Sequence, residues 1–124
     1  MLYAVLCYNS EDVVCAWSKD QDDKVMADLA VVEKKYADQG RLGPVARLMP
    51  TTSATTVRKG AGETFVLDGP FAETKEQFLG FFIVDVETLD EAIEFARELS
   101  VANPGTGAYE IRPLRIFKPG GGAN

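Results

Sequence analysis

The chain contains no histidine among its 124 residues. That absence removes Ser–His and Cys–His nucleophile pairs, histidine-ligated metal sites and the commonest general base near neutral pH. Any acid–base chemistry therefore falls to carboxylates, Lys, Tyr or Cys, in surroundings that shift their pKa values. Cysteine is nearly as scarce: Cys7 and Cys15 make no disulfide framework, and both are expected to be free thiols in a reducing cytosol. Apolar runs are short, none approaching the ~20 residues of a membrane span. The opening "MLYAVLCYNSED" also lacks the basic flank of a secretory signal. A cytoplasmic protein with no membrane partner is expected. Positive charge is in deficit too, with 13 Lys and Arg against 19 Asp and Glu. The basic residues are scattered rather than clustered, which excludes nucleic acid as an expected partner. The glycine groups "GAG" and "GGG" lack the strand–GxGxxG–helix setting of a nucleotide site. Nothing signals a metal or an organic cofactor.

What is present reads as one domain over residues 1–118, followed by a flexible tail, 119–124. "LYAVLCY" (2–8) is apolar, aromatic and β-branched, too short for a helix, and predicts a strand buried on both faces. "VVCAW" (13–17) fits a helical turn or a packed loop. Ser18 or Asp20 can then cap a helix running to about Asp38, whose apolar stripe is Val25, Leu29, Val32 and Tyr36. Gly40 sits where a left-handed C-cap belongs, and "GRLGP" reads as a chain break. "VARLMP" (45–50) predicts a short strand, residues 53–70 a Thr- and Val-rich hairpin, and "FLGFFIVDV" (78–86) a doubly buried strand. Thr88 and Glu91 form a capping-box pattern for a second helix over about 89–100, with Leu89, Ala92, Ile93, Ala96 and Leu99 on one face. "NPGTG" (103–107) turns the chain into a last strand, 108–117.

Without the hairpin, this order is β-α-β-β-α-β, the ferredoxin-like split unit of the α+β class. Two helices cover one face of such a sheet, yet the central strands are apolar on both. The economical cover for the second face is another subunit, so a homodimer is expected.

The stretch "DGPFAETKEQFLGFFIVDV" (68–86) concentrates ionisable groups just before a buried strand. One reading makes it a pocket wall. Asp68 and Glu73 are then candidate acid–base groups, Lys75 holds an anionic substrate group, and Phe71 packs on the ligand. The other reading is a turn, in which Asp68 caps the bend, Gly69 supplies unusual torsions and Pro70 fixes its own φ. Glu110 and Arg112, two apart on the last strand, share a sheet face. They could orient a ligand's carboxylate or phosphate, or form a salt bridge. Thr51, Thr52, Thr55 and Thr56 with Arg58 read first as strand chemistry. Trp17, Tyr3, Tyr8 and Tyr36 are candidate core or pocket aromatics.

The same stretch closely resembles the signature of the DGPF family, within the YCII-related group of small bacterial proteins. "GRLGPVARLMP", "SATTVR", "ETLDEAIEFA" and "YEIRPL" resemble further segments of that family in the same order, nearly the whole length of the chain. The resemblance implies a ferredoxin-like fold forming a dimeric α+β barrel, and an association with extracytoplasmic-function sigma factors. Some YCII-related relatives are thought to use a His–Asp pair in a cleft, which this sequence cannot supply. Two functions follow as expectations: a homodimeric small-molecule-binding or regulatory protein taking a small anionic or polar ligand, or a cofactor-independent enzyme performing proton transfer or elimination with carboxylate and Lys side chains.

Overall fold

The computed structural model describes residues 1–121; residues 122–124 of the expected tail lie outside the described residues. Strand β1 (Leu2–Asn9) leads through a one-turn helix α1 (Glu11–Val14) into the long helix α2 (Lys19–Asp38), then strand β2 (Leu42–Arg47). A 3-10 turn (Thr51–Ser53) precedes the hairpin strands β3 (Thr55–Lys59) and β4 (Thr64–Asp68). Strand β5 (Gln77–Asp85), helix α3 (Leu89–Ala102) and strand β6 (Ala108–Pro113) complete the chain. The main sheet has the order β2-β5-β1-β6 with every neighbouring pair antiparallel. The hairpin β3–β4 forms a separate two-stranded sheet. This is an α+β architecture compatible with the ferredoxin-like fold. Among the described residues no helix is long and apolar enough to cross a membrane.

Local chemistry accounts for the helix ends. Ser18 begins α2 with a full capping box: its Oγ accepts from the Gln21 amide (3.1 Å) while Gln21 Oε1 accepts from the Ser18 amide (2.9 Å). Gly40 follows the helix with φ of +69°. At α3 the expected box is half made. Thr88 Oγ1 accepts from the Glu91 amide, but Glu91 Oε2 reaches the amide of Glu87 rather than that of Thr88.

Both long helices lie on one face of the sheet. Tyr3 and Val5 of β1 and Phe82 and Val84 of β5 point into a core with Val25, Leu29 and Tyr36 of α2 and Ala92, Phe95, Ala96, Leu99 and Ala102 of α3. Phe95 is fully buried, its ring 4.6 Å from that of Tyr36 and 5.8 Å from that of Phe82. Burying such a side chain contributes roughly 1.5–3 kcal/mol. The buried face of α3 thus centres on Phe95 and Leu99; Leu89 is 50% exposed and Ile93 half-buried, toward its margin.

The second strand lies at 42–47 rather than 45–50. Pro44, read as a break, is accommodated because β2 is an edge strand, where a residue without an N–H forfeits no ladder bond on the open side. The ladder to β5 is irregular there, between Leu42 and Val45. The last strand stops at Pro113 instead of continuing to 117.

The opposite face of the sheet carries Leu2, Ala4, Leu6 and Tyr8 of β1, with Ile83, Phe81 and Phe78 as their neighbours on β5 and Arg112 and Glu110 on β6. Ala4 and Ile83 are buried without joining the helix-side core. Leu2, Leu6, Tyr8 and Phe81 are half-buried, and the hairpin displays Val57, Phe65, Val66 and Leu67 to solvent.

Candidate functional site

The 68–76 segment leaves the hairpin as the expected turn. Asp68 closes β4 opposite Thr55. Gly69 takes φ of +94°, donates its N–H to Ala54 O (2.7 Å) and accepts at its carbonyl from Thr56 Oγ1 (2.8 Å). A left-handed φ there suits glycine, which has no Cβ to strain it. Past the turn, Gln77 pins the chain at both ends of its side chain. Its Nε2 donates to Thr74 O (2.6 Å), and its Oε1 accepts from the Glu11 amide (2.8 Å). Glu11 in turn accepts from the amide of Thr51 (2.7 Å) and from its hydroxyl. The start of α1, the 3-10 turn and the entry to β5 are thereby tied together.

These ties frame a wide cleft of about 990 Å³ on the helix-free side of the sheet. One wall is the loop itself, Gly69 to Thr74 with Glu76; the other is Tyr8, Phe78 and Thr51–Thr52. The rings of Tyr8 and Phe78 stand 5.6 Å apart, and Phe71 is 75% exposed. The charged groups on the lining are Asp12, Glu73 and Glu76, with no Lys or Arg among them. The Tyr8 hydroxyl donates to Glu110 Oε1 at 3.3 Å. Partial burial and the neighbouring Glu110 carboxylate push that phenol above its ordinary pKa.

Of the sequence-predicted residues, Phe71 and Glu73 line the cleft, and Glu110 reaches it through Tyr8. Asp68 lies at the end of the hairpin, Lys75 is exposed in the loop, and Arg112 lies on the outer sheet face opposite Ala4. Among the described residues, Asp68, Glu73, Lys75 and Arg112 take part in no ion pair. Glu11 and Gln77, which hold the loop in place, were not singled out by the sequence.

The helix side carries a second concavity. A cleft of about 600 Å³ between α1, α2 and the residues after β2 adjoins a smaller cavity of about 200 Å³ that reaches toward the core. Trp17, Val14, Arg47 and Leu79 belong to both. Arg47 is held by Asp22 through two hydrogen bonds, 2.8 and 3.3 Å, which keep the Asp22 carboxyl below its usual range. Deeper in, Asn103 Nδ2 donates to the Tyr109 hydroxyl (3.1 Å), and burial pushes both the Tyr109 phenol and the adjacent Cys7 thiol upward. Neither Cys7 nor Cys15 is in a disulfide. Trp17 was foreseen as a possible lining residue; Arg47, Asn103 and Tyr109 were not.

A family model described as the YCII-related domain matches residues 1–118. An uncharacterized protein of Rhizobium meliloti (strain 1021) is 65% identical over 120 residues, which span 97% of each chain.

Proposed function

The chain belongs to the YCII-related family, and from that premise we propose that it acts as a homodimer binding a small polar molecule in the cleft beside the 68–76 loop. The observation that carries this reading is the continuity between the helix-free, partly exposed apolar sheet face and that cleft. Leu2, Leu6 and Phe81 lie on the same face as Tyr8 and Phe78, and Tyr8 and Phe78 are also cleft walls. A second copy laid on this face gives a dimeric α+β barrel and closes the open side of the cleft. Contiguous apolar surface of this kind marks an interaction site more often than idle surface. An isologous pairing of two such faces is the simplest closed assembly.

The lining carries three carboxylates and no cation, so a polar or hydroxyl-rich ligand suits it better than an anionic one. Phe71 supplies a ring at the rim, and Glu73 and Glu110-bound Tyr8 supply hydrogen-bonding groups. The binding reading takes precedence over proton transfer or elimination because, of Asp68, Glu73 and Lys75, the cleft wall includes Glu73 alone. In the regulatory form of the proposal, ligand occupancy is the signal and a sigma factor the recipient.

The test joins light scattering to a thermal-shift metabolite screen. A dimer at micromolar concentration is expected, converted to monomer by Phe81→Asp. A ligand hit lost in both Glu73→Gln and Phe71→Ala supports the cleft. A wild-type monomer removes the dimer reading, and a hit indifferent to both loop variants removes the cleft.

A further inference from the structure

The 200 Å³ helix-side cavity opens between α2 and β2, where Met26 and Val45 are exposed at its mouth, and its depth is lined by Trp17, Val25, Leu29 and Phe82. Two hydrogen-bond acceptors belong to its walls and lack partners. Glu33, half-buried on α2, has no hydrogen bond or ion pair among the described residues. Asn103 Oδ1 is buried with nothing bonded to it, its amide nitrogen being committed to Tyr109. A buried acceptor without a donor is costly, and native structures rarely leave one so. The one cation on the wall, Arg47, is already engaged by Asp22. The cavity therefore presents apolar surface, an indole ring, one buried unsatisfied acceptor and one unpaired, half-buried carboxylate, with no free positive charge.

We propose that this cavity binds a compact apolar amine, with the ammonium group held by Glu33 and the apolar body seated against Trp17 and Leu29. Size limits the body to about one ring, since an apolar cavity of ~150 Å³ accommodates benzene. Charge sets the head group: an ammonium gives Glu33 a charge-assisted hydrogen bond, and an indole beside the site favours a cation as well. A carboxylate would meet Glu33 as a like charge and find Arg47 occupied. The site lies on the opposite side of the sheet from the loop cleft, so it stands or falls apart from the function proposed above.

The experiment is an NMR titration of the full chain with three probes of one shape: benzylamine, benzyl alcohol and benzoate. Each is run on wild type, on Glu33→Gln and on Val45→Trp, which adds bulk at the exposed mouth. Benzylamine is expected to perturb amides of α2 and β2 saturably and to bind at least ~10-fold more tightly than benzyl alcohol, the scale of one charge-assisted contact. Glu33→Gln should lower the amine to the affinity of the alcohol and leave the alcohol unchanged; Val45→Trp should weaken both. The proposal is overturned if benzoate binds best, if the amine keeps its advantage in Glu33→Gln, if no probe saturates, or if the perturbed amides are those of residues 68–78.

Discussion

Gly80 is where the sheet tolerates least, and Gly80→Ala is the perturbation that tests it. This residue sits in the middle of β5, opposite Cys7 on β1 and Arg47 on β2. A Cβ added there would lie 2.3 Å from the carbonyl oxygen of Ala46 and 3.2 Å from Arg47 Cα. Both neighbours are backbone, so no side-chain rotation relieves the clash. Overpacking of this kind costs ~1–3 kcal/mol, and a main-chain obstacle places this case at the upper end. The relief available is outward movement of β2, which is free to move as an edge strand but would lose its pairing around Ala46–Phe81 and Arg47–Gly80. At this chain length each kcal/mol lowers the melting temperature by about 4 °C, so a fall of about 10–12 °C is expected. Gly69→Ala is the control. Nothing lies within 4 Å of its added Cβ, and the penalty is confined to a left-handed φ, ~1–2 kcal/mol. Circular-dichroism melts of the two variants give the global effect, and hydrogen exchange of the β2 amides gives its location. If Gly80→Ala melts within about 2 °C of wild type, which is under ~0.5 kcal/mol, β2 and β5 do not approach each other so closely at Gly80. If Gly80→Ala is destabilised but β2 exchange is unchanged, the strain is taken up elsewhere and the edge-strand account fails.

Glu98, the acceptor for Lys35 Nζ and the Tyr36 hydroxyl, predicts an acid-sensitive contribution. Burial pushes its carboxyl up, but the Lys35 and Tyr36 hydrogen bonds more than offset that and hold it below the usual range. The folded state therefore gains from the ionised form above the unfolded value of ~4.3, and loses that gain as pH falls through the lower folded value. Glu98→Gln should cost ~1 kcal/mol at neutral pH, and the gap to wild type in urea melts should close as pH approaches ~3; a gap constant with pH would sink the assignment. The thiols predict a contrast in alkylation: Cys15, exposed, should react with iodoacetamide at least ~10-fold faster than Cys7, whose thiol is half-buried and pushed up by that burial. Equal rates by mass spectrometry would contradict the packing described around Tyr109.

Helical periodicity made α2 and α3 legible, and β1 and β5 were legible as short continuous apolar runs rich in β-branched and aromatic residues. The hairpin and the 68–70 turn were legible from Thr, Val, Gly and Pro chemistry, which acts within a few residues. Strand β2 lies three residues before its expected position because Pro44 reads as a breaker, and only the strand order shows that β2 is an edge strand, where a proline is tolerated. Phe95 was passed over in favour of Leu89 because both continue a helical stripe; the position of the sheet beneath α3 decides which one is covered. The sites were less legible than the fold. Phe71 and Glu73 come from the conspicuous loop, but Glu11, Gln77 and Thr51 meet across 40 to 66 residues of chain. The helix-side cavity collects Cys7, Glu33, Arg47, Asn103 and Tyr109 from five separate segments. No spacing rule joins such residues, since the antiparallel register brings them together only after folding.

Each outer strand of the main sheet contains a proline, Pro44 in β2 and Pro113 at the end of β6. A proline on a border strand interrupts the row of amide donors that another chain would need in order to add itself sideways. Lateral growth, the route by which exposed β-structure runs into fibrils, is thus obstructed at both ends. In the proposed dimer, an isologous contact on the broad side of the sheet closes on itself, while the prolines at the borders hinder the sideways addition of a third molecule.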